Sequence, residues 1–159
     1  MKKLLIAAVM TACLLCSCRA ADTTPEKLAE SGVLQLEISD NGREYSASLT
    51  RDKGVWEYEF TAPESVKGMT VKSENGSYTV TLEKLAFTES CEKLSKTSPM
   101  VLITKALDMC VSGKGITAKK QGSKTIDSGV VEGADFTVTF EGDKPLSMEI
   151  GGEIAVSFK

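Results

Sequence analysis

VLQLEISDNGREYSASL, residues 33–49, sets the character of the whole chain. Leu34, Leu36 and Ile38 alternate with Gln35, Glu37 and Ser39, the two-residue period of a half-buried strand. Asn41-Gly42 supplies the positive-φ pair of a tight hairpin turn, and Tyr45, Ala47 and Leu49 alternate on the return.

The same grammar continues outward. Trp56, Tyr58 and Phe60 alternate with Glu57 and Glu59 until Pro63, which has no amide to give to a ladder. Met69 and Val71 lead into Glu74-Asn75-Gly76-Ser77, and Tyr78, Val80 and Leu82 return, with Leu85 and Phe87 extending that arm. Residues 114–123 read as a loose or edge segment and residues 125–131 as a weak strand. Phe136, Val138 and Phe140 form a further strand. Leu146, Met148 and Ile150 form the next, and Ile154, Val156 and Phe158 close the chain after a Gly151-Gly152 turn.

One segment breaks the pattern. Ser98-Pro99 is a good N-cap and first-turn pair, and the spacing of Met100, Ile103, Leu107 and Cys110 predicts a helix from Pro99 to Val111 that stops at Gly113. Thr104, Lys105 and Asp108 fall on its expected exposed side. About eight or nine antiparallel strands thus offer apolar faces to one helix of three to four turns. A flat sheet would leave large side chains wet, at a cost of about 1.5 to 3 kcal/mol each. The expectation is an α+β fold, mainly antiparallel β: a curled sheet or open half-barrel with the helix covering its concave side. Such an interior either fills with its own side chains or holds an apolar ligand. Trp56, Tyr58, Phe60, Met69, Phe87 and Met100 are candidate lining residues from the first part of the chain and the start of the helix. Ile103, Leu107, Phe136, Phe140, Met148 and Phe158 are those from the remainder.

The N-terminus carries an address. Lys2 and Lys3 precede thirteen uncharged residues, Leu4 to Cys16, the basic and apolar regions of an export signal. A membrane-spanning helix needs about 20 apolar residues, so this run is too short to span. Leu15-Cys16-Ser17-Cys18 resembles the bacterial lipobox, which makes Cys18 the residue expected to receive a diacylglycerol thioether. Cleavage near Ala20 or Ala21 would instead leave a soluble exported protein. The chain is therefore expected to divide into a lipoprotein signal peptide (1–17), a lipidated cysteine with its tether (18–32) and one β-rich half-barrel domain (33–159), placed at the extracytoplasmic face of the cell membrane.

Composition excludes several classes of function. Two of the 19 basic residues lie in the signal, so the mature chain has 17 against 22 acidic ones, a balance of −5 that gives nucleic acid no attraction. No histidine occurs, which removes His-based triads, His general bases and His-containing zinc sites. Neither a catalytic residue, a metal site nor a cofactor is expected. Cys91 and Cys110 are either a disulfide, which would close a loop of about 20 residues and stabilise by about 3 kcal/mol, or two thiols. Gly113-Lys114-Gly115-Ile116-Thr117-Ala118 fits a dinucleotide-loop pattern on paper, but it follows a helix where that loop requires a strand. Glu57 and Glu59 share a strand face turned away from the apolar side, as a solvated face would.

Residues 56–71, with Asn75-Gly76, the strand from Tyr78 to Leu82 and Leu85-Ala86-Phe87, resemble small uncharacterised lipoproteins of Gram-positive bacteria. Those are similar in strand order to the lipoprotein-carrier (LolA/LolB-like) superfamily, whose members fold an open half-barrel around acyl chains. The resemblance implies an anchored module that binds lipid or an acyl chain; an envelope scaffold that contacts another protein, with a filled core, is the alternative. If Cys18 carries the anchor, Cys18→Ala moves the protein from the membrane to the soluble fraction, and a variant that still sediments with membranes contradicts the assignment.

Overall fold

Eleven strands and one long helix follow from these patterns in a computed structural model that describes residue 28 and residues 32–90 and 98–159. The signal segment, Cys18 and Cys91 lie outside the described residues. The strands are β1 (Gly32–Asp40), β2 (Arg43–Asp52), β3 (Val55–Ala62), β4 (Thr70–Glu74), β5 (Ser77–Leu82) and β6 (Leu85–Ser90). After the helix α1 (Pro99–Ser112) come β7 (Ile116–Gln121), β8 (Lys124–Val131), β9 (Ala134–Glu141), β10 (Lys144–Ile150) and β11 (Ile154–Phe158).

All eleven strands join one antiparallel sheet in the order β6-β5-β4-β3-β2-β1-β11-β10-β9-β8-β7. Two meanders, one from each half of the chain, are stitched at the centre by β1 and β11, where Leu36 faces Phe158 and Asp40 faces Ile154. The edge strands β6 and β7 do not pair, so the sheet is curled and open. Tight turns set the register. Asn41 and Gly42 have φ of 49° and 79°, and Asn75 and Gly76 repeat this at 50° and 75°, values that suit the right-handed twist of the flanking strands.

Two strands exceed the expected eight or nine. Residues 85–90 turn back as β6 instead of extending the preceding arm, through a two-residue loop with Glu83 at φ 53°, and residues 116–121 form a true edge strand, β7. Both are mostly exposed, so neither carries the apolar alternation that marks the buried strands. Pro145 lies within β10 beside a shift in register against β9, the kind of place where a strand accepts proline.

The helix lies across the concave face because it connects β6 at one edge to β7 at the other. It ends at Gly113, left-handed at φ 66°, while Ser98 takes the extended N-cap conformation without a side-chain cap bond. Its buried surface is wider than the predicted stripe and includes Val101, Leu102, Thr104 and Ala106 beside Ile103, Leu107 and Cys110. A sheet that curls around a helix touches more than one side of it. Thr104 is accordingly buried, contrary to expectation, and its hydroxyl shares a 3.1 Å hydrogen bond with Tyr78. Trp56, Tyr58, Phe60, Phe136, Val138, Phe140 and Met148 supply the sheet side of the core.

Gly129 is where the β7 side of the sheet closes up, because a Cβ there would stand 2.8 Å from both the Gly115 carbonyl oxygen and the Phe136 ring. Gly129→Ala is expected to lower stability by about 1 to 3 kcal/mol in chemical denaturation. An unchanged midpoint would show that the loop after α1 is not seated on β8.

Candidate functional site

The concave face has three chemically distinct regions, set by where α1 meets the sheet. At its N-terminal end an apolar cavity of about 180 Å³ opens between Pro99 and Met100, the ends of β1 to β3 and the loop after Ala62. Ile38, Tyr45, Phe60, Val66 and Met69 line it, with Asp40 as the one charged lining residue. The loop folds over this cavity because Gly68 N donates to Phe60 O at 2.8 Å and Met69 N donates to Val66 O at 2.9 Å. Gly68 takes φ 78°, which permits that return. Tyr45 and Phe60 meet edge to face, with ring centroids 6.1 Å apart.

The second region is a latch along the helix. Trp56 Nε1 donates to Asp108 Oδ1 at 2.9 Å, and Arg51 Nη2 approaches the same oxygen at 3.4 Å. The Arg51 guanidinium also lies 5.1 Å over the Trp56 ring, and its Nη1 donates to the Leu28 carbonyl at 2.8 Å. Tyr58 donates to the Met100 carbonyl at 3.1 Å. Burial raises the Tyr58 hydroxyl well above its usual pKa, so it remains a donor across the ordinary pH range. On the opposite flank Lys105 bridges to Glu132 in the β8–β9 turn.

The third region is polar and closed. Asp127 on β8 is 1% exposed, and neither of its carboxylate oxygens has a hydrogen-bond partner among the described residues. It faces the Cys110 thiol at a geometry short of a regular hydrogen bond. Burial raises the carboxyl above its usual value, while the thiol acts in the opposite direction. Burial and the adjacent carboxyl together push the Cys110 thiol up to about 12. A thiol so placed is protonated and inert at neutral pH. Cys110 is a free cysteine, and Cys91 is not among the described residues.

The sequence-derived lining residues separate accordingly. Phe60, Met69 and Met100 line the cavity. Trp56, Tyr58, Ile103, Leu107, Phe136, Phe140 and Met148 are buried in continuous packing, and Phe158 is half-buried against it. Phe87 stands 57% exposed on the edge strand β6. Ile38, Asp40, Tyr45, Val66 and Asp127 were not foreseen as site residues. Asp40 could have been found, since it continues the alternation of Leu36 and Ile38 onto the same face. Asp127 has no such signal, because its neighbours at the same period are Thr125 and Gly129. Among the described residues no group of three or more acidic or cysteine side chains could hold a metal ion, and no helix is long and apolar enough to cross a membrane.

No protein-family model matches the chain, and no curated protein matches it in sequence. Among solved structures, an uncharacterized conserved protein from Thermus thermophilus is 14% identical at a TM-score of 0.49, covering 87% of this chain and 83% of that one. The lipoprotein LppX of Mycobacterium tuberculosis is 11% identical at 0.45, covering 86% and 90%. A LolA superfamily protein from Nitrosomonas europaea is 8% identical at 0.42, covering 87% and 92%.

The buried carboxyl makes stability depend on pH. A carboxyl whose folded pKa is raised favours the native state at low pH and loses that contribution as pH rises through the raised value. Asp127→Asn is therefore expected to be more stable than the parent by about 1 kcal/mol or more at pH 7, with the gap closing below the usual carboxylate range. Parallel melting curves with a gap independent of pH would contradict this.

Proposed function

We propose that the chain is an exported lipoprotein, held at the extracytoplasmic face of the membrane by an acylated Cys18, whose half-barrel binds the hydrocarbon end of a lipid or acyl chain without bond chemistry. The observation that supports this reading is the cavity beside Met100, in which seven of eight lining residues are apolar or aromatic and two are methionines. Flexible thioethers adapt to irregular apolar contents. At about 180 Å³ the cavity is smaller than the 300 to 1,000 Å³ of ordinary ligand pockets, so it suits a chain end and not a whole lipid. Ser98, which makes no side-chain cap bond, and Pro99 start the helix beside it, and the Tyr58 hydroxyl holds Met100 there.

A second reading has its own support. Ile103, Ala106, Leu107 and Cys110 have no solvent exposure, which describes a core already filled, as an envelope scaffold would have. Mass spectrometry of protein gently extracted from its native membrane separates the two. The lipid-binding reading expects lipid in defined proportion with the parent protein, and its loss from Val66→Trp, which fills the cavity, at an unchanged melting temperature. Absence of lipid from the parent, or an amount insensitive to Val66→Trp, favours the scaffold.

A further inference from the structure

We infer that the cavity selects an amphiphile whose head carries an ammonium group; this rests on the hydrophobic-ligand reading and adds the chemistry of the head. Asp40 is the charged residue of the lining, and it ends β1 on the face that carries Leu36 and Ile38. It is half-buried, so its charge sits at the rim, partly shielded from water. Asn41 Nδ2 donates to its Oδ1 at 3.1 Å, and Oδ2 has no partner among the described residues.

Beside this carboxylate in the lining stands the Tyr45 ring, in T-shaped contact with Phe60, with a hydroxyl that makes no hydrogen bond among the described residues. A carboxylate and an aromatic ring at the mouth of an apolar cavity attract an ammonium group in two ways, by charge and through the ring's negative face. An alkyl tail in the cavity leaves its head at this rim, where the ammonium keeps part of its water and avoids the cost of full burial. A sulfate or carboxylate head in the same place would meet Asp40 with like charge.

Arg43 is the cation that could compete, since it lies opposite Asp40 in the β1–β2 register. It is exposed and forms no ion pair among the described residues, which leaves Asp40 available. Glu44, one residue further on, accepts from Ser39 Oγ at 2.7 Å and belongs to the opposite face, so it serves as a control for general charge.

Calorimetric titration tests the inference, on the full chain carrying Cys18→Ala so that no acyl anchor competes. Octyltrimethylammonium, octyl glucoside and octyl sulfate serve as probes below their micelle-forming concentrations. The ammonium probe should bind about five-fold more tightly than the glucoside and the sulfate most weakly. Asp40→Asn should abolish that preference and leave glucoside affinity unchanged, whereas Glu44→Gln should preserve it. Val66→Trp should weaken all three. Glucoside binding with no preference for ammonium, or a preference that survives Asp40→Asn, overturns the inference while the hydrophobic-ligand reading stands. Failure of all three probes to bind overturns both.

Discussion

The structure depends on one helix covering the apolar face of an eleven-stranded sheet that does not close on itself. Each large side chain that the helix keeps dry contributes about 1.5 to 3 kcal/mol, and the concave face carries rows of them, from Trp56, Tyr58 and Phe60 on one side to Phe136, Val138 and Phe140 on the other. Because α1 also carries the chain from β6 to β7 across the open edges, its position is both a packing requirement and a connection. The hydrogen bonds from Tyr58, Tyr78 and Trp56 to Met100, Thr104 and Asp108 fix its register against one meander. Lys105 and Glu132 tie it to the other.

Cover of this kind is uneven, and the unevenness creates the candidate site. Along its middle α1 is sealed, with Ile103, Ala106 and Leu107 wholly buried. At its C-terminal side the Gly115–Gly129 approach leaves no room for even a methyl group. Toward Pro99 and Met100 the packing loosens into a cavity, because strand ends and the loop after Ala62 replace continuous sheet there. Acidic groups mark the concave side at both depths, Asp40 at the rim and Asp127 in the interior.

Much of the fold was legible because burial and backbone period coincide. Leu34-Leu36-Ile38 and Trp56-Tyr58-Phe60 announce their strands, Asn41-Gly42 and Asn75-Gly76 announce their turns, and Pro99 and Gly113 bracket the helix. Strand β6 escaped that logic and β7 was legible only as a loose or edge segment, since an edge strand hydrogen-bonds on one side and buries little. Thr104 escaped for a different reason. On an isolated helix it belongs to the polar side, and only Tyr78, brought from 26 residues away by the sheet, gives its hydroxyl a buried partner. The cavity likewise joins Ile38, Met69 and Met100 from three distant segments, a juxtaposition that no local period encodes.

The single tryptophan reports on the covering helix directly, since Trp56 is 2% exposed and its indole nitrogen donates to Asp108 of α1. Steady-state fluorescence with a soluble quencher is the decisive measurement. A docked helix predicts blue-shifted emission that iodide barely quenches in the native protein, moving to the red and becoming quenchable on denaturation. Native emission already red and freely quenched would mean that the helix does not cover the sheet.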